Sequence, residues 1–199
     1  MLSRRARSTW RGRAFFLLLL VLACPATRNA SMARAQEPPS GEHQLKAAFL
    51  YNFARFVEWP ADVFPDSQSA VVIGVIGGDG LGETLAQAVA GKTVNGRPLV
   101  IRQCKRGQDL RNYHLLFISS SERKHLSQIL ESLKGASVLT VGETDRFARL
   151  GGAVNFLLEE NKVRFEVNVA AVERARLKMS AKLLGLARIV ADEPWAEKN

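Results

Sequence analysis

The sequence predicts an α/β layered sandwich with a mostly parallel, Rossmann-like central sheet, closed by a C-terminal β-hairpin and a helix. Three observations carry this. Strand-like runs at 71–76, 98–104, 114–118 and 136–142 alternate with helical segments, the order that lays parallel strands between covering helices. The run VVIGVI (71–76) is apolar throughout, as in a strand covered on both faces. Segments 153–158 and 162–169 instead alternate with period two around Glu159-Glu160-Asn161-Lys162, which is a hairpin pattern.

The chain begins with 35 residues that hold seven Arg and no acid, with an uninterrupted apolar stretch from Ala14 to Ala23. Ten apolar residues are too few to span a bilayer but suit the core of a secretory signal. Ala33-Arg34-Ala35 supplies small residues at the positions a signal peptidase reads. Residues 1–35 are therefore expected to be a signal peptide cleaved after Ala35. Lipidation at Cys24 is a weaker match, because Leu22 stands where a small residue is usual. Ser3-Arg4-Arg5 lacks the apolar residues that complete a twin-arginine signal. The net charge of +9 shrinks to +2 once the leader's seven Arg are removed, so it gives little support to nucleic-acid binding. One cysteine then remains, Cys104, either simply buried or available for an intermolecular disulfide.

Residues 36–42 read as a flexible lead-in, 43–192 as one domain and 193–199 as a polar tail. His43 to Pro60 predicts an amphipathic helix whose apolar stripe is Leu45, Ala48, Phe49, Asn52, Phe53 and Phe56, widened by Leu50 and Val57. Glu58-Trp59-Pro60 stops it, since proline disfavours helical geometry in the residue before it. A strand (71–76) and a helix (80–91, ended by Gly91) follow. After the turn Asn95-Gly96 come strands 98–104 and 114–118. Ser119–Ser121 caps a helix over 122–135, and strand 136–142 completes the parallel set. In the hairpin, Val154, Phe156 and Leu158 and then Val163, Phe165, Val167 and Val169 fall on the core face. Arg164, Glu166 and Asn168 fall on the other. Residues 177–190 read as a final helix.

Gly78-Asp79-Gly80 resembles part of a dinucleotide fingerprint, yet Glu83 occupies the third glycine position. Asp79 and Glu83 would repel a pyrophosphate from the helix N-terminus. The glycines are therefore expected to serve the backbone, and no cofactor is implied. Three His without HxxxH or HExxH spacing, and no cysteine pairs, propose no zinc site. No G-x-S-x-G elbow is present, and no catalytic set is proposed. What remains is the strand face Arg164-Glu166-Asn168 and the segment 169–178. These read either as a solvated outer face or as a recognition surface rimming an apolar anchor such as Val172.

KAAFLYNFARFVEWP (46–60), VLTVGE (138–143), GGAVNF (151–156) and VRFEVNVAAVERARLKMSAKLLGLARIV (163–190) resemble, in order and spacing, the YfiR family of periplasmic proteins. The resemblance implies a non-enzymatic periplasmic regulator, commonly a homodimer. Its relatives restrain an inner-membrane diguanylate cyclase through the cyclase's periplasmic region. An OmpA-like outer-membrane lipoprotein withdraws the restraint, raising cyclic-di-GMP and biofilm formation. Block matching carries the family's partner- or ligand-contacting surface onto Glu166, Asn168, Val172, Lys178 and Ser180. Lys178 and Ser180 stand where a relative can have Arg and His, and Lys lacks the guanidinium fork. The lone Cys104 cannot form the internal disulfide found in some relatives. A second reading is a periplasmic small-molecule sensor serving another signalling or transport system.

Overall fold

The structure, a computed structural model, describes residues 41–78 and 80–193. The expected signal peptide, most of the lead-in, Asp79 and the tail from 194 onward lie outside the described residues. In chain order the elements are α1 (Gly41–Phe56), β1 (Val57–Glu58), β2 (Val71–Ile76), α2 (Leu81–Val89), β3 (Thr93–Val94), β4 (Arg97–Cys104) and β5 (Leu115–Ile118). Then follow α3 (Leu126–Ser132), β6 (Leu139–Gly142), β7 (Val154–Glu159), β8 (Lys162–Asn168), α4 (Val169–Arg174), β9 (Lys178–Met179), α5 (Ala181–Leu184) and β10 (Arg188–Val190). Short 3-10 turns occupy Ala61–Val63 and Ser120–His125.

Eight strands form one sheet in the order β10-β8-β7-β6-β5-β2-β4-β3. The run from β7 to β4 is parallel; β8 is antiparallel to β7, β10 is parallel to β8, and β3 is antiparallel to β4. The α/β layered class expected from the alternation is the observed one. Period two explains the layers. Val71, Ile73 and Val75 share a large core with Leu115, Phe117, Leu139 and Val141 beneath α1 and α2. Ile76, Leu116 and Ile118 face a smaller core beneath α3.

The helix α1 forms where expected but is turned about its axis. Its buried face is Lys46, Ala47, Leu50, Phe53 and Ala54, continued by Val57. Leu45 and Ala48 are exposed instead. Ala47 and Ala54 let the backbone approach the sheet, and Lys46 turns inward to an acidic partner. Phe49 and Phe53 then meet the hairpin: ring centroids lie 5.5 Å apart for Phe49–Phe165, 5.1 Å for Phe53–Phe165 and 5.7 Å for Phe53–Phe156. Such pairs each add about 0.5–1.5 kcal/mol beyond their buried area.

The hairpin departs from expectation on its other side. Glu166 (4 % exposed) and Asn168 (0 %) are buried, whereas Leu158, placed by periodicity in the core, is 59 % exposed. Over the polar face the connection 143–153 between β6 and β7 folds back and covers Asn168. Phe147 anchors it, fully buried, against Gly142 and Gly152, where an added Cβ would overlap the ring. Asn168 Nδ2 donates to Ala148 O at 2.7 Å, fixing the same segment.

Residues 177–190 do not form one helix. β9 pairs with β1 (Val57↔Met179), Ser180 Oγ caps the short α5 by accepting from Leu183 N at 3.3 Å, and β10 pairs with β8 (Ile189↔Val167). Helix propensity is weak, and strand partners on both sides override it. Likewise only Leu126–Ser132 of the expected 122–135 helix is α-helical, entered through the 3-10 turn. Cys104 is buried. Burial pushes its thiol pKa up, and its hydrogen bond to Tyr113, followed by burial, pushes that phenol up to about 12. An intermolecular disulfide at Cys104 would need this packing opened.

The packing of Phe147 makes a specific prediction. Gly152→Ala should lower stability by about 1–3 kcal/mol, the usual range for overpacking. Gly78→Ala, where an added Cβ meets nothing within 4 Å, should be near neutral. Urea unfolding midpoints of the two variants measure the difference.

Candidate functional site

In open α/β sheets ligands bind beyond the carboxyl ends of the strands, where the strand order reverses. Here the reversal lies between β2 and β5, because the chain leaves β2 for β4 on one side and returns to β5 on the other. Gly77, at φ 110°, ends β2 directly against Ser119; a Cβ at Gly77 would overlap the Ser119 Cβ. Ser119 Oγ accepts from Ser121 N at 3.3 Å, and Gln103 Nε2 donates to Gly77 O at 2.6 Å. Ser119 and Gln103 thus occupy part of this crevice.

One strand further along sits a buried ion pair. Glu143 follows β6 immediately, and its Oε2 takes Lys46 Nζ at 2.6 Å while Oε1 accepts from Ser120 N at 3.0 Å. The Lys46 ammonium also reaches Glu42 at 2.5 Å. Burial alone would raise the Glu143 pKa, but the Lys46 hydrogen bond and the Ser120 N–H outweigh it and hold it below the ordinary 4.5. Burial alone would lower Lys46, and hydrogen bonds to Glu143 and Glu42 outweigh that and raise it. A cleft of about 300 Å³ opens beside the pair, lined also by His43, Phe156 and Leu158. A second, of about 320 Å³, lies between α3 and α4 near Leu133, Thr140 and Arg174. Sequence reading missed this pair. Its signal was a lysine on the buried ridge 46-50-53 and an acid directly after a buried strand.

The Glu-Trp-Pro block closes the opposite end. Trp59 Nε1 donates to His114 O at 2.9 Å, and His114 Nδ1 accepts from Val72 N at 3.0 Å. Phe64 stacks on the His114 ring at 4.5 Å, and Arg97 lies over Phe64 at 3.9 Å. A cavity of about 240 Å³ borders this stack, between Trp59, Phe64 and Arg97. Burial, then the Arg97 charge, lower the His114 pKa, although a hydrogen bond to the Val63 backbone opposes them.

The five residues expected to form one surface are divided. Val172 is 2 % exposed and belongs to the main core, so Val172→Asp would bury a charge rather than test a surface. It forms the floor of a groove of about 230 Å³, whose walls include Val169, Glu173, Lys178, Met179 and Leu184. Lys178 stands exposed on its rim. Ser180 is half-buried and tied to the end of α1 by its N–H to Phe56 O at 3.0 Å. Glu166 points to the opposite side of β8, where Asn155 Nδ2 donates to it at 3.3 Å. Asn168 is a structural knot: its Oδ1 caps α4 at Ala171 N (3.0 Å), and its Nδ2 also reaches Asp192 at 2.6 Å. Val172 and Lys178 therefore share a groove; Glu166 and Asn168 lie outside it. Among the described residues no group of three His, Cys, Asp or Glu is placed to hold a metal, and no helix is long and apolar enough to cross a membrane.

A layered α/β domain is also what comparison with known proteins returns. The YfiR/HmsC-like family model matches residues 43–188, and the chain belongs to that family. A crystal structure of a conserved domain protein from Vibrio cholerae O1 biovar El Tor shares the fold, with a TM-score of 0.51 at 12 % identity. That match covers 74 % of this chain and 59 % of the other. No curated protein matches.

Two predictions follow the ionisable groups. The folded-state pKa of His114 lies below its unfolded value, so the unfolded chain binds more protons. The stabilisation is complete above the ordinary 6.5 and lost as pH falls through the depressed value. His114→Asn should flatten the stability profile between about pH 5 and 7, the interval in which histidine titrates. Denaturant titrations at stepped pH read this. For the ion pair, Lys46→Met should cost about 3 kcal/mol by leaving Glu143 buried and unmatched. Lys46→Met with Glu143→Gln should recover most of it in the same titrations.

Proposed function

We propose that this chain is an exported, non-enzymatic regulator that binds the periplasmic region of an inner-membrane diguanylate cyclase and holds it inactive. It thereby lowers cyclic-di-GMP and biofilm formation. Membership of the YfiR/HmsC-like family across 43–188 is the observation that carries this reading. The Arg-rich leader with its apolar core and Ala33-Arg34-Ala35 supports export, with cleavage after Ala35. Competition by an OmpA-like outer-membrane lipoprotein for the same regulator would set cyclase output by relative affinity. The working form is a homodimer in this reading.

The groove floored by Val172 is the contact region that fits best. Its apolar floor suits an inserted side chain of a partner, and the exposed pair Glu173 and Lys178 on its walls suits a polar rim. Its volume of about 230 Å³ falls below the roughly 300–1,000 Å³ usual for small-molecule sites, which favours a protein partner there. Glu166 and Asn168 act indirectly, by fixing the strand and the α4 cap from which the groove is built.

The double variant Glu173→Lys/Lys178→Glu reverses both exposed charges without entering the core. It should leave the melting temperature within a few degrees, as surface changes of under about 0.5 kcal/mol do, and raise cellular cyclic-di-GMP to the level of a deletion strain. Unchanged cyclic-di-GMP in the deletion strain itself would sink the cyclase reading. Full repression by the variant would sink only the groove assignment.

A further inference from the structure

We infer that the surface formed by the end of β4, the residues just after it and the turn before α3 docks on an anionic phospholipid surface. From Arg102 to His125 the chain holds six basic side chains, Arg102, Lys105, Arg106, Arg111, Arg123 and Lys124, against two acids, Asp109 and Glu122. The other described residues carry 14 basic and 14 acidic side chains. The whole positive excess of the described domain therefore sits in this one stretch.

The two segments form one surface. Arg106 Nη1 lies 2.8 Å from His125 Nε2, and its Nε lies 3.5 Å from Glu122. Asp109 is spent on its own loop, accepting from Arg111 N at 2.9 Å. Eight of the 14 cations elsewhere hold a carboxylate. Within the patch only Arg106 does, so five of its six cations form no ion pair with a described residue. All six are exposed, so the field of the patch is directed outward.

The kind of partner follows from what the patch offers. The exposed large apolar side chains, Leu45, Leu158, Leu186 and Ile189, all lie outside this stretch. None of its six cations lines any of the four cavities described above. Protein interfaces anchor on aromatic or apolar side chains, and a small anion calls for a converging pocket. Charge spread over two loops, with neither an exposed apolar anchor nor a cavity among the described residues, matches a surface of headgroup phosphates that adjusts to it. The inference takes its setting from an exported protein working beside the inner membrane. Its test does not depend on that reading.

Protein purified from cells expressing the full-length chain is sedimented with vesicles of phosphatidylglycerol and phosphatidylethanolamine, and with vesicles of phosphatidylcholine alone. Binding is expected to the anionic vesicles at about 50 mM salt, with most of it lost at about 300 mM as the Debye length shrinks. Phosphatidylcholine should bind little. Arg102→Glu/Lys105→Glu/Arg123→Glu/Lys124→Glu should weaken partitioning by at least roughly five hundredfold, given roughly fivefold per basic side chain near the surface. Its unfolding midpoint should be unchanged, and Lys134→Glu/Lys162→Glu should bind like the parent. Equal binding to both lipids, no binding at low salt, or indifference to the fourfold reversal each overturn the inference. Loss of cyclase repression in the fourfold variant without any vesicle binding would assign the patch to an acidic protein segment instead. A negative vesicle result leaves the regulatory reading intact, because that is read through cyclic-di-GMP in the deletion strain.

Discussion

Burial of the β7–β8 hairpin on both faces is the constraint on which the other features depend. On one face, Phe156 and Phe165 meet Phe49 and Phe53 of α1. On the other, where Asn155, Glu166 and Asn168 are buried, the β6–β7 connection lies down over Asn168, held by Phe147 in the space left by Gly142 and Gly152. A hairpin with one wet face would leave those polar side chains in solvent. Covered on both sides, it must satisfy them internally. Asn168 does so fully, linking Ala148, Ala171 and Asp192. Asn155 spends its amide on Glu166 and leaves its Oδ1 without a partner among the described residues.

This is also where sequence reading reached its limit. The parallel strands were legible because VVIGVI and HLLFI are apolar without alternation, and only two covered faces explain that. The hairpin strands do alternate, so period two assigned Glu166 and Asn168 to solvent. Nothing local announces that this face will be covered, although Gly142 and Gly152 spaced around an aromatic residue were a trace of it. The helix α1 was legible in extent but not in rotation. Its true buried ridge contains Lys46, and a lysine is read as outward until its partner Glu143 is known. The final segment failed for the opposite reason. LKMSAKLLGLARIV has good helix formers, yet its fate is set by edges waiting at β1 and β8.

The candidate contact region inherits these facts. A family motif marked Glu166, Asn168, Val172, Lys178 and Ser180 as a unit along the chain, and the fold separates them by the thickness of the sheet. Motif positions that couple to binding need not touch the bound molecule. A side chain that fixes a strand or caps a helix moves the surface built upon it, and changing it alters binding and stability together. Lys178 and Glu173 are free of that coupling, which makes the two kinds of role experimentally separable.

The pairing of α1 with the hairpin has a consequence for how the chain reaches its folded state. The helix that comes first carries Phe49 and Phe53, and the rings that cover them, Phe156 and Phe165, come near the end. For any polypeptide delivered amino-terminus first, the earliest segment to emerge stays sticky until nearly everything else has followed. Contacts so distant along the chain form slowly, and an exposed aromatic helix invites association in the meantime.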